Sequence, residues 1–196
     1  MASVGYTIIP MNSENIDAAL VYGMKNRGAG LYTLLGPNWI EGKEGALLNV
    51  YSPFMMLASK AAKAQFSRNP TKEDLKKARK RFRRDVAYFS DDKNPITVKF
   101  AVSFYGPSET FATQYAARII GFGRGKQFEL KPDKERRDKI ADPTSGSITQ
   151  ETLFSAINAY YFKLSKLTSL EQFELRLINT ITGKTLSFQL IADRLY

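Results

Sequence analysis

Apolar residues recur along this chain with two different periods, and the change from one to the other divides it near its middle. Tyr6–Pro10 alternates enough for a short strand that Pro10 ends. Ile16, Ala19, Leu20, Gly23 and Met24 then follow Ser13 at helical spacing, with Ser13 as the expected N-cap and Asn26–Gly30 as the stop. The stretch from Leu31 to Gly45 is rich in turns, and Glu41–Gly45 joins Trp39-Ile40 to Ala46–Tyr51 as a loose hairpin. Pro53 suits the first position of a helix carried by Phe54, Leu57, Ala58, Ala61, Ala62 and Phe66 to about Phe66. Thr71 caps the next helix, with Glu73 and Asp74 near its positive end. Its stripe of Leu75, Ala78, Phe82, Val86 and Phe89 keeps a 3.6-residue repeat to about Phe89.

Beyond Asp91–Pro95 the period shortens to two. Ile96–Tyr105 is dense in β-branched and aromatic residues and lies between Pro95 and Gly106-Pro107, the pattern of a strand. Thr110–Phe122 fits a helix through Phe111, Tyr115 and Ile119, and a strand through Phe111, Thr113, Tyr115, Ala117 and Ile119; its surroundings favour the strand. Lys126–Lys131 reads as a strand and 133–146 as an exposed loop. Ala156–Leu164 is a further strand. Its consecutive Tyr160, Tyr161 and Phe162 must point to both faces. A hairpin closes the series, Gln172–Ile178 and Thr185–Ile191 around Asn179–Gly183.

Helices gathered in the first half and strands in the second predict an α+β chain, not an alternating βαβ sheet. The strands predict an antiparallel sheet or β-sandwich-like C-terminal half covered on one face or edge by helices. A single domain over 1–196 is expected, a helical and hairpin elaboration over about 1–92 set on a β-rich core over about 93–196.

Composition narrows the chemistry. The chain has 196 residues, 43% hydrophobic and 24% charged, with no Cys and no His. These absences exclude Cys- or His-ligated zinc, a Ser-His-Asp triad, a Cys-His pair and any internal disulfide. No apolar run approaches the ~20 residues of a membrane-spanning helix. The opening residues carry no signal-peptide pattern, which fits a cytoplasmic protein or the mature part of an exported one. No cofactor is implied.

The formal charge is +10, from 29 basic and 19 acidic residues. Between Lys72 and Arg84 stand eight bases and two acids, a surplus of six. Like charges at i,i+4, such as Lys76 and Lys80, cost helix stability when nothing offsets them. The helix over 71–89 is therefore a candidate docking surface for an anion, through Lys76, Lys77, Lys80, Arg81, Arg83 and Arg84; a solvated face is the plainer alternative. Gly121–Lys126 adds Arg124 and Lys126 on a glycine-rich turn. Its spacing fails the P-loop pattern, and Gln127 stands where a Ser or Thr would bind magnesium.

No residue nominates itself as catalytic. Asp91-Asp92 reads as a loop start, and the acids of Asp133–Asp138 are interleaved with bases, which disfavours calcium. The expectation is a non-catalytic binding or structural module whose basic helix docks on an anionic protein or membrane surface. The absence of Cys and the β-rich second half favour a bacterial periplasm or envelope setting, as the mature part of an exported protein, over the cytoplasm. Two alternatives stay open, an intracellular nucleic-acid-binding protein and an enzyme using carboxylate or Tyr residues.

Overall fold

The computed structural model describes residues 11–30, 33–34, 40–43, 46–90, 96–123, 125–143, 153–167, 170 and 172–191. The expected strand over 6–10 lies outside them, as does Arg124. The chain is α+β, with helices mostly in the first half and two antiparallel sheets.

Helix α1 (Ser13–Lys25) begins one residue earlier than the sequence suggested. Asn12 is its N-cap, and the Asn12 Oδ1 accepts the Asn15 amide at 2.9 Å, leaving Ser13 inside the first turn. A hairpin of β1 (Ile40–Lys43) and β2 (Ala46–Tyr51) follows. Helix α2 (Pro53–Lys63) has Pro53 in its first turn, as the pattern implied; Ser52 caps it, and it stops three residues before Phe66. The stripe expected to run unbroken from Thr71 to Phe89 forms two helices, α3 (Lys72–Arg81) and α4 (Arg83–Ser90). Phe82 separates them at φ −100° and ψ 23°. Its amide still donates to the Ala78 carbonyl at 2.9 Å, and its carbonyl accepts the Val86 amide at 3.0 Å. The break is one residue wide, and there the Phe82 ring packs edge-on against Phe66, centroids 6.4 Å apart. Packing outweighs local helix propensity at that residue. Thr71 and Asp74 cap α3 reciprocally, so its start matches the sequence signal.

The second half holds β3 (Thr97–Gly106), a 3₁₀ turn (Phe111–Gln114), β4 (Tyr115–Gly123), β5 (Lys126–Leu130), β6 (Lys134–Arg136), β7 (Asp142–Pro143), β8 (Phe154–Lys163), the short α5 (Leu164–Leu167), β9 (Gln172–Asn179) and β10 (Thr185–Ile191). The ambiguous stretch after Thr110 takes a helical turn first and a strand after it. The expected loop over 133–146 is corrected. Two of its segments add to β8 as edge strands, Lys134–Arg136 opposite Ala159–Tyr161 and Asp142–Pro143 opposite Phe154-Ser155. Backbone pairing decides there, where the charged side chains gave no strand pattern.

The first sheet runs β1-β2-β3-β8-β6, with β7 also on β8; the second runs β10-β9-β4-β5. Their inner faces share one core. Val98, Phe100, Val102 and Phe104 of β3 and Tyr160 and Phe162 of β8 meet Phe173, Leu175 and Leu177 of β9 and Leu186, Phe188 and Leu190 of β10. At one end, the Phe111 ring occupies the space a side chain at Gly106 would need. A polar clasp joins the sheets there. The Tyr160 hydroxyl donates to the Tyr115 carbonyl at 3.0 Å, and the Asn158 amide donates to the Ala112 carbonyl at 2.8 Å and to the Tyr160 hydroxyl at 3.0 Å.

A second apolar cluster lies among the helices. Ile16, Leu20 and Met24 of α1 pack on Leu57 and Ala61 of α2 and on Ala78 of α3, with Phe54, Leu75, Phe82, Val86 and Phe89 around them. Small residues set the spacing, since a Cβ on Gly23 would stand 2.1 Å from the Ala58 carbonyl oxygen and 2.7 Å from the Ala61 Cβ.

Two outcomes follow from these contacts. Gly23→Ala gains about 1 kcal/mol of helix propensity. It forces α1 off α2, however, and we expect a net loss of about 1–3 kcal/mol in a denaturant titration. Tyr160→Phe leaves the Tyr115 carbonyl without its donor and should cost about 1–3 kcal/mol at neutral pH. Burial, chiefly, pushes the Tyr160 phenol up to about 12, whereas an unfolded tyrosine ionises near 10. Its contribution is complete below about pH 10 and fades as pH rises towards 12, so the wild-type advantage should shrink across that window.

Candidate functional site

The structure sorts the basic helix into paired and unpaired cations. Arg79 turns inward, donating from Nε to the Asp17 carboxylate at 2.6 Å and from Nη2 to Ser13 Oγ at 2.8 Å and the Ser13 carbonyl at 3.0 Å. Lys60 of α2 pairs with Asp85 of α4. Arg81 is exposed, and its guanidinium lies 5.7 Å from the Phe66 ring centre and 5.9 Å from that of Phe82. The remaining predicted residues of the helix, Lys76, Lys77, Lys80, Arg83 and Arg84, are all exposed. They make no ion pair among the described residues. Spacings of three and four residues link them along the exposed side of the two helices, away from buried Ala78, with Lys72 at the N-terminal end. These five form a ridge.

Lys126 does not join them. It starts β5, the edge strand of the second sheet, opposite Gly123. Arg124 beside it lies outside the described residues.

Sequence reasoning missed a second group of cations, on the outer face of the first sheet. The pleat that sends Val98 and Phe100 into the core sends Lys99 out. Strand register then sets Tyr51, Lys99, Tyr161 and Lys134 in one row across β2, β3, β8 and β6. Aromatic and cationic groups alternate along it. The Lys99 ammonium is 4.8 Å from the Tyr51 ring centre, and the Lys134 ammonium is 5.7 Å from that of Tyr161. The next row carries Asn49, Ala101, Ala159 and Arg136.

Lys99 is half-buried, and burial holds its ammonium below the usual lysine range. The charges of Lys63, Arg136 and Lys60 push in the same direction. Among the described residues no carboxylate offsets them. Lys99, Lys63, Lys134 and Arg136 make no ion pair among the described residues. Burial also raises the Tyr51 phenol. The nearby acids are engaged elsewhere: Glu135 pairs with Arg137, Asp133 with Lys163 and Lys166, and Asp85 with Lys60.

Further along the same outer face Leu47, Tyr105 and Ile157 are about half exposed. A cleft of about 340 Å³ opens beside the end of α2, lined by Arg27, Leu34, Ser59, Ala62, Lys63 and Gln65 among others. Arg27 is committed there, donating to the Phe66 carbonyl at 2.8 Å. Among the described residues no group of three or more Asp or Glu could hold a metal ion, and no helix is long and apolar enough to cross a membrane.

No protein family and no curated protein matches the chain. Among solved structures, a human pre-T cell receptor crystal structure is similar at 11% identity over 50% of this chain and 84% of that chain. Its TM-score of 0.30 carries no argument.

A half-buried cation among like charges is a stability cost retained by the fold. Lys99→Met keeps the side-chain stem and removes the charge. It should raise stability at neutral pH by up to about 1 kcal/mol after allowance for solvent screening, about 2–4 °C in Tm. The difference from wild type should close as pH rises from the depressed Lys99 value towards about 10.4, where the unfolded lysine also loses its proton. A Tm that falls at neutral pH would mean the ammonium is structural.

Proposed function

We propose that this chain is a binding module that docks on an anionic surface through the ridge of α3 and α4. The observation that carries the reading is a contrast within the helical layer. Cations at the margin of the helical core are matched to acids, as in Arg79 with Asp17 and Lys60 with Asp85. Lys76, Lys80, Arg83 and Arg84 on the outward face make no ion pair among the described residues, and Lys77 acts on Asp74 only at longer range. A row of unneutralised charge raises the local concentration of polyanions and speeds their encounter.

The character of the ridge also bears on the partner. Leu75, Phe82, Val86 and Phe89 pack towards α1 and α2, so the apolar stripe of these helices is engaged within the fold instead of being presented to lipid chains. The ridge residues are charged, with no aromatic among them to stack on a base. A face of this kind suits an electrostatic contact with an acidic protein patch or with a plane of anionic headgroups.

The test is binding across a salt series, to anionic vesicles, to an acidic protein and to single- and double-stranded nucleic acid. Wild type is compared with Lys76→Ser, Lys80→Ser, Arg84→Ser combined. The ridge is exposed, so the triple variant should keep its circular dichroism and lose about tenfold or more in affinity. The salt dependence should flatten as the contacts are lost. Equal binding by variant and wild type would rule the ridge out. Tighter binding to nucleic acid than to vesicles or acidic protein would replace the favoured partner.

A further inference from the structure

The cations on the outer face of the first sheet form a second surface, independent of the ridge. We propose that Lys63, Lys99 and Arg136, with Lys134 at the edge, form a binding site for a phosphate group.

Three elements meet there. Lys63 comes from the last turn of α2, Lys99 from the middle of β3, and Arg136 from the edge strand β6. Strand register sets Arg136 two strands and one row from Lys99, about 12 Å between backbone positions, within the combined length of a Lys and an Arg side chain. The like charges of Lys63 and Arg136 act on Lys99, so the three side chains share one electrostatic neighbourhood. Among the described residues no acid pairs with this group. Glu135, next in sequence to Arg136, takes the alternate position on β6 and pairs with Arg137. Asp133 is held by Lys166 and by the Lys163 amide, and Asp85 by Lys60.

An ammonium half withdrawn from water beside two more cations is relieved by an anion of more than one charge. A phosphate group meets that requirement. It accepts hydrogen bonds in several directions from ammonium point charges, and it matches the planar guanidinium fork of Arg136. A single carboxylate would neutralise only one of the three. The Tyr51 and Tyr161 rings flank Lys99 in its row and supply apolar walls that keep its stem in place.

Isothermal titration at low salt with pyrophosphate, inorganic phosphate and a short oligothymidylate tests the proposal and separates free phosphate compounds from a polynucleotide backbone. The proteins compared are wild type, Lys99→Met, Arg136→Gln and the ridge triple variant. Saturable binding of at least one probe to wild type is expected. It should weaken about tenfold or more in Lys99→Met and in Arg136→Gln and stay within about twofold in the ridge variant. Pyrophosphate should also raise the Tm of wild type and leave that of Lys99→Met unmoved. Arg136 is exposed on a short edge strand, so its variant carries the test even if Lys99→Met folds poorly. Absence of saturable binding by all three probes, or binding that both site variants retain, would overturn the proposal. Loss confined to the ridge variant would overturn it too, and would leave the ridge reading intact.

Discussion

The structure depends on the packing of one strand, β3, against the opposite sheet. Phe100 meets Phe162 and Phe173 edge-on, with ring centres 5.6 Å and 6.3 Å apart, and Val98, Val102 and Phe104 extend that face along the core. A strand has a period of two, so a one-residue slip would bury Lys99, Ser103 and Tyr105 and expose the four core residues. The packing of Phe100 therefore fixes the outward position of Lys99 as firmly as it fixes the core. The same strand joins the hairpin of β1 and β2 to β8, and thereby sets the row in which Tyr51, Lys99, Tyr161 and Lys134 stand.

The helical layer follows a related logic with a different period. Ala78 is the inward point of α3, and the close approach of α1 to α2 at Gly23 leaves room there only for small side chains. Once that side is buried, the spacing of the lysines and arginines forces them outward together. Arg79, one residue beyond Ala78, lies near enough to α1 to find Asp17, whereas Lys76, Lys80 and Arg84 face water. Among the described residues, packing gathers cations in two places: a ridge on the helices, and a smaller group on the sheet beside the end of α2. Lys60 stands between them, paired with Asp85 of α4 and acting electrostatically on Lys99.

Much of this architecture was legible in the sequence, because most elements carry a period and a boundary. Thr71 with Asp74, Pro53 after Ser52, and the alternation through Gln172–Asn179 and Thr185–Ile191 each correspond to an element in place. The break at Phe82 was hidden because its cause is a tertiary contact with Phe66, and the stripe keeps its spacing across it. Strands β6 and β7 were hidden because they are short, exposed and without an alternating apolar pattern, and the sequence marks them only by charged residues and a proline. The ridge could be read directly as a run of bases. The sheet group could not, because Lys63, Lys99 and Arg136 are far apart in sequence and are brought together by α2, β3 and β6. One signal was available. Lys99 interrupts a strand dense in β-branched and aromatic residues, and a lysine there must occupy the outer face.

The central claim is that both cation groups are places where anions dock, and not merely solvated charge. Lysine-selective NMR of the side-chain resonances during titration with inorganic polyphosphate addresses it most directly. The account predicts shifts at Lys76, Lys77 and Lys80 of the ridge and at Lys63, Lys99 and Lys134 of the sheet. Lys25, Lys131, Lys139 and Lys184 should stay near their starting positions. Shifts of equal size at all lysines would mean that the anion senses only net charge, and would contradict it.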